Sequence, residues 1–321
     1  MHTLNRREFA KTVVAGLGAA ALPSLGAAQA RKLKIGCTAL IWGALPRTPE
    51  NLTAAVRDMA SLGFHGFETF ASIVNDLDVK GTLGALIDEY RIPLISGYST
   101  VQLTDKSTRN ENLAQLIQWG KAIKKHGGRF MVLAPNGVTR NGYDFSQHKA
   151  TIVAGLNEYA KAMNDLGLGA GLHQHTGTAV ESRDETYAVM EAVDTRHCKF
   201  APDVGQLQKG GADAAKVVKD FLPITVHMHL KDYKGWEHFA GYCPLGEGKV
   251  DLKAILDMVE GANPNANIMH ELDGSPNAPY TPRQTAEIGV AYLQKLGYSF
   301  QPRQETRPLH HGGHGGHGAV S

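Results

Sequence analysis

Between residues 31 and 301 the sequence alternates eight times between a short apolar run and a longer amphipathic stretch. No other feature restricts the fold as much. Short apolar runs bounded by Gly, Pro or a charged residue have the length and composition of strands buried on both faces, as in a parallel sheet. They fall at residues 34–42, 66–70, 92–98, 129–134, 169–175, 199–203, 225–231 and 267–272. The stretches between them, 48–62, 76–90, 110–126, 147–166, 183–193, 213–221, 252–261 and 282–296, carry apolar residues at helical spacing. Pro49 suits a first helical turn, and Gly63, Gly127 and Gly167 stand where a helix ends in a left-handed residue before the next strand. Eight such repeats in about 270 residues predict a single-domain α/β chain folded as a (β/α)8 barrel. A doubly wound sheet is the alternative, but it carries a Gly-rich phosphate turn after its first strand. Here the first run leads instead into Trp42-Gly43-Ala44-Leu45-Pro46.

The two ends differ from this pattern. Arg6-Arg7-Glu8-Phe9-Ala10-Lys11 resembles a twin-arginine export signal. The apolar residues 12–22 that follow are too few and too rich in Gly and Ala for a membrane span, and Ala28-Gln29-Ala30 has the small-x-small form of a cleavage site. Residues 1–30 are therefore expected to be a signal peptide read by the twin-arginine machinery. The mature chain would begin near Arg31 in the periplasm, with no stable membrane anchor. The barrel is expected over 31–300. Residues 301–321, polar and ending in a Gly/His-rich run with His310, His311, His314 and His317, are expected to be disordered. Those imidazoles either bind Zn, Ni or Cu loosely or belong to a solvated tail without a role.

Composition removes several functions. A formal charge of +2 without long runs of one sign argues against a nucleic-acid or membrane-surface partner. Three scattered cysteines, Cys37, Cys198 and Cys243, fit neither a disulfide scaffold nor a zinc ribbon, and Cys37 and Cys198 read as small buried residues on strands.

In a barrel of this kind the chemistry lies at the C-terminal ends of the strands. Five of those ends are polar where an apolar residue would be expected: Glu68-Thr69, His173-Gln174-His175, Asp203-Val204-Gly205-Gln206, His227-Met228-His229-Leu230-Lys231-Asp232 and His270-Glu271-Leu272-Asp273. Residues i and i+2 of a strand share a face, so His173 points with His175, and His227 with His229 and Lys231. One such imidazole has an ordinary reading as a satisfied core residue. Asp203 alone could cap a turn, and Glu68 alone could pair with a lysine. Together on one rim, imidazoles and carboxylates form a donor set for one divalent ion: Mn, Co, Mg or Zn.

These motifs, with Leu245-Gly246-Glu247-Gly248-Lys249-Val250-Asp251, resemble the xylose isomerase-like TIM barrel, or sugar phosphate isomerase/epimerase, superfamily over essentially the whole barrel. Within it the chain is similar to the inosose dehydratase and keto-sugar branch. The resemblance implies a metal held by His173, Asp203, His229 and Glu271. From the chemistry of the rim, Glu271, Lys231 and Glu68 are expected as acid/base groups, and His175, His227, Gln206 and Trp42 as substrate contacts. Two positions depart from the pattern. His173 stands where sugar 3-epimerases have a second glutamate, and Gln206 stands where strand six commonly has a histidine.

A metal beside a carbonyl and a hydroxyl stabilises a developing enediolate, and a nearby base removes the α-proton. Glu271 is expected as a ligand that doubles as base. Lys231 is the second candidate, with a plain ion pair to Asp232 as its ordinary reading. The expected function is an exported, metal-dependent isomerase or epimerase of a non-phosphorylated sugar or polyol. Loss of the strand-five glutamate makes a dehydratase the rival. A non-catalytic sugar- or metal-binding protein is the second alternative, and a homo-oligomer is compatible with either. A metal-dependent endonuclease fits poorly, because the chain is not basic and lacks the extra ligands of a trinuclear site.

Overall fold

The computed structural model describes residues 31–43, 49–275 and 277–303. The expected signal peptide, the cleavage site and the four tail histidines all lie outside the described residues.

Eight parallel strands line up around a barrel. They are β1 (Ile35–Thr38), β2 (Phe67–Phe70), β3 (Leu94–Val101), β4 (Phe130–Pro135), β5 (Gly169–Leu172), β6 (Cys198–Phe200), β7 (His227–Leu230) and β8 (Asn267–His270). They pair in the order β6-β5-β4-β3-β2-β1-β8-β7. The seam between β6 and β7 is closed by two isolated parallel bridges, Phe200 to Thr225 and Asp203 to His229, and by the His229 N–H donating to the Pro202 carbonyl at 2.9 Å. The helices outside are α1 (Pro49–Leu62), α2 (Ala71–Val79), α3 (Leu83–Tyr90), α4 (Arg109–Lys125), α5 (Phe145–Asp165), α6 (Arg183–Met190), α7 (Val204–Lys209), α8 (Ala214–Asp220), α9 (Leu252–Ala262) and α10 (Pro282–Lys295). The (β/α)8 barrel read from the alternation is thus the fold.

The main core lies between strands and helices, where Ile123, Leu156, Ile255 and Leu293 are buried against the sheet. Cys37 and Cys198 are buried on β1 and β6, and Cys243 is buried as well. Three differences from the sequence reading matter. The single helix read at 76–90 is two helices, α2 and α3, broken by a turn at Lys80-Gly81-Thr82. A short helix, α7, and a two-stranded ribbon of Asp232–Tyr233 with Tyr242–Cys243 follow β6 and β7 and were not read from the sequence. The described chain continues three residues past the expected barrel boundary: the Gln301 and Arg303 N–H groups donate to the carbonyls of Gly63 and Ala60. No helix among the described residues is long and apolar enough to cross a membrane.

Candidate metal centre

Strands β5 to β8 end earlier than their sequences suggest, so His173, Asp203, Lys231 and Glu271 fall just past those ends, while Glu68, His227 and His229 lie within β2 and β7. The register brings them together. Leu172 pairs with Phe200, so His173 follows beside Ala201, and its Nδ1 lies 3.0 Å from the Ala201 carbonyl. The bridge from Asp203 to His229 sets those two at one level. His270 pairs with Leu230, so Glu271 follows beside Lys231. Asp203 also caps α7, accepting the Gln206 N–H at 2.9 Å through Oδ1. The capping role considered for this residue is therefore met through Oδ1, and Oδ2 faces the site. Gly205 makes room for the neighbouring strand end, because a Cβ there would stand 2.8 Å from the Lys231 side chain.

The result is a buried network of ion pairs. His229 Nε2 lies 2.6 Å from Glu68 Oε1, and its Nδ1 lies 3.0 Å from Glu271 Oε2. His227 Nε2 lies 3.0 Å from the other Glu68 oxygen, which also accepts from Ser96 Oγ. Lys231 Nζ is surrounded by Asp203 Oδ2 at 2.9 Å, Glu271 Oε1 at 2.7 Å and Asp273 Oδ2 at 2.9 Å. Burial works against every one of these charges; the partners outweigh it at His229, Glu68, Glu271 and Lys231, whereas burial prevails at Asp203, whose pKa is raised, and at His227, whose pKa is lowered. Glu271 and Glu68 hold the His229 imidazole well above its ordinary pKa. His229 and His227 hold Glu68 well below the usual carboxylate range. His173 goes the other way: burial, then repulsion from His229, keeps it neutral well below its ordinary value.

Several expectations change. Lys231 does not titrate towards neutrality: Asp203, Asp273 and Glu271 raise it well above an ordinary lysine despite burial, so it is a fixed cation and not a base. Its expected partner, Asp232, points elsewhere. The Asp232 carboxylate accepts the N–H groups of Tyr233, Gly246, Gly248 and Val250 at 2.8–3.2 Å, which fixes the Gly-Glu-Gly loop. A Cβ on Gly248 would stand 2.0 Å from that carboxylate, so the motif is a structural clasp. Glu68 lines the cavity, but both of its oxygens are taken by His227, His229 and Ser96, which makes it a holder of His229. His227 lies under it, stacked on Phe130 at 4.7 Å, and is not among the residues that line the cavity.

Gln206 is turned to His175, with Nε2 to Nε2 at 2.7 Å, and accepts from Thr176 Oγ1 at 2.7 Å. It orients His175, which does line the cavity. Trp42 lies outside this cavity: its indole N–H donates to Asp58 at 3.0 Å and its ring faces a neighbouring one.

The cavity over the centre measures about 180 Å³ and is lined by Glu68, Tyr98, His173, His175, Glu271 and Asp273, with Leu40, Phe70 and small residues completing the wall. Tyr98 and Asp273 received no role from the sequence. Tyr98 meets the His173 ring edge-on at 5.4 Å, and burial pushes its phenol pKa up. A Tyr and an Asp at strand ends were visible in the sequence, but nothing local separates them from surface residues.

The residues suit a metal. Ligand atoms of His173, Asp203 and His229 lie within 4.8 Å of one another, all buried. Asp203 Oδ2 and His229 Nδ1 face their ion-pair partners without hydrogen-bond geometry. With the His173 Nδ1 proton directed at the Ala201 carbonyl, its Nε2 lone pair is free. Two imidazoles and two carboxylates are a donor set for a divalent ion of the Mn, Co or Zn type.

The chain belongs to the xylose isomerase-like TIM barrels, whose sequence pattern matches residues 56–296. Inosose dehydratase of Clostridium botulinum is 23% identical over 295 residues, spanning 82% of this chain and 97% of that protein. Among solved structures, the IolI protein with a binding zinc atom superposes with a TM-score of 0.67 at 14% identity, over 84% of this chain and 99% of the other. The 3-keto-D-glucoside 4-epimerase YcjR of E. coli does so with a TM-score of 0.64 at 16% identity, over 82% of this chain and all of the other.

Proposed function

We propose that this chain is a divalent-metal-dependent carbon–oxygen lyase of a non-phosphorylated keto-sugar or cyclitol. The observation that carries the reading is the site itself: a buried set of two imidazoles and two carboxylates beneath a cavity, with His173 in place of a second catalytic glutamate. The near full-length likeness to inosose dehydratase supports the same reaction class. His173, Asp203, His229 and Glu271 would hold the ion. When bound, it supplies a Lewis acid for a ketone and its neighbouring hydroxyl.

Both Glu271 oxygens are engaged, by His229 and Lys231, so Glu271 is assigned to holding the ion. Asp273 lines the cavity with a partly exposed carboxylate and has one oxygen on Lys231. It is assigned as the base. It takes the proton α to the ketone, the C–H electrons form the double bond, and the C–O bond to the β-hydroxyl breaks. The same carboxyl returns its proton to the departing oxygen, which leaves as water. One acid/base group on one face is enough for this elimination, whereas epimerisation by two opposed carboxylates needs the glutamate that His173 replaces. Tyr98, a phenol kept protonated, donates to a substrate oxygen, and Lys231 holds Asp203, Glu271 and Asp273 in register.

Proton NMR in D2O with a panel of inososes and keto-sugars tests this. The expected result is α-deuteration and an unsaturated product. Asp273→Asn should lose the exchange and keep its metal, whereas His229→Ala or Asp203→Ala should lose the metal and stay folded. Full turnover after exhaustive chelation would refute the reading. The isomerase reading is favoured by one fact, that Glu271 and Asp273 line the same cavity as two carboxylates, and it predicts deuterated isomers without loss of water. A non-catalytic binder exchanges nothing. We also propose that residues 1–30 direct export, which suits a substrate without phosphate.

A further inference from the structure

We infer that a second, aromatic subsite adjoins the metal cavity and takes the ring attached to the reacting sugar, so that the substrate is a glycoside and not a free monosaccharide. The inference rests on the proposed function for the identity of the first site. The second cavity measures about 510 Å³ and is lined by Ile41, Trp42, Phe239, Leu272, Asp273 and Tyr280, with glycine and other small residues. Asp273, the residue assigned as base, lines both cavities, so the two spaces adjoin there.

The aromatic wall is built and held. Trp42 is fixed by its indole N–H on Asp58 at 3.0 Å. Phe239 is buried against the wall with a left-handed backbone, φ 49°, and Ala240 follows at φ 54°. Two consecutive non-glycine residues in that region are costly and persist only where the surroundings impose them. Here the strain turns the Phe239 ring in beside Trp236, at 5.9 Å between centroids. Tyr280 stands half-buried in the same lining.

Flat aromatic faces pack the C–H faces of a pyranose, and a carboxylate at the seam accepts its hydroxyls. The described lining is aromatic and aliphatic with one carboxylate, which suits the apolar face and hydroxyls of a sugar ring. A monosaccharide seated over His173 and Glu271 would leave this wall unused. A glycosidic oxygen beside Asp273 would carry the second ring onto it.

The test compares a keto-disaccharide with the matching keto-monosaccharide on the metal-loaded protein. Saturation-transfer NMR on cellobiose and glucose reads binding without turnover. The expected result is a higher kcat/KM for the disaccharide and saturation transfer to both of its rings. Trp42→Ala and Tyr280→Ala, made separately, should each lower the disaccharide-to-monosaccharide kcat/KM ratio roughly three- to tenfold, the worth of one stacked ring. A wild-type ratio near one, transfer to a single ring, or a ratio unmoved in both variants overturns the subsite. If no sugar of either size is exchanged or converted, the proposed function fails instead, so the two failures are distinct.

Discussion

Glu68 holds His229 from behind, and replacing it tests how the centre is assembled. In Glu68→Gln the shape is nearly kept, but the amide oxygen that meets the protonated His229 Nε2, now 2.6 Å from the carboxylate, carries no charge, and its NH2 can only donate towards His227 Nε2 at 3.0 Å. The variant loses a buried, charge-assisted bond worth about 1.5–3 kcal/mol. At 1.36 kcal/mol per decade this is roughly a 10- to 100-fold loss of metal affinity. The same range is found when a carboxylate behind a ligating histidine is removed.

A second effect has the opposite sign. Without Glu68, His229 grips its proton less tightly, which eases displacement of that proton by the ion. The two separate in a pH profile. Apo wild type and variant are titrated with Zn2+ or Mn2+ against a chromophoric chelator, and the affinities are compared at the alkaline end, where protons no longer compete. A difference under threefold there, with both proteins folded by circular dichroism, would refute the assignment of Glu68 as the holder of His229.

Other outcomes follow from the same structure. Since His229 is held protonated well above its ordinary pKa, metal binding should release about one proton and strengthen with rising pH; calorimetry in buffers of different ionisation enthalpy counts that proton. Burial lowers His270 from 6.5 to about 4, and neither ring nitrogen has a hydrogen-bond partner. The unfolded chain therefore takes up a proton in that window and the folded one does not. Stability should be full above about pH 6.5 and fall by about 3 kcal/mol towards pH 4, and His270→Leu should remove that part of the loss in urea melts. Asp232→Ala strips the acceptor from four backbone N–H groups, at about 1–3 kcal/mol for each one left buried, and should lower stability by about 3 kcal/mol or more in denaturant melts.

The barrel was legible because its signal is local: short apolar runs, helical periodicity, and glycines at helix ends. The candidate ligands were legible because i and i+2 share a face and five strand ends broke the apolar rule. Periodicity gives the face of a residue but neither its depth nor its neighbour across the barrel. Lys231 therefore read either as a base or as the ion-pair partner of the next residue, whereas its partners follow β6 and β8: Asp203, Glu271 and Asp273. Glu68 read as a group facing substrate because nothing in β2 says that two imidazoles of β7 close on it. Trp42 read simply as a substrate contact; its place at the second cavity, with its indole on Asp58 of α1, depends on tertiary packing that the sequence does not set.

The triple clasp on Lys231 has a consequence for the order of events in the life of the protein. In a zinc finger the ligands repel one another until the ion arrives, and the apo chain is unfolded. Here one ammonium already sits among Asp203, Glu271 and Asp273, and a protonated His229 sits between Glu68 and Glu271. The barrel carries resident counter-ions, so it can close around its carboxylates before it meets a metal. Loading is then an exchange of cations inside a finished fold, in which a proton departs from His229 and Lys231 gives up part of its hold.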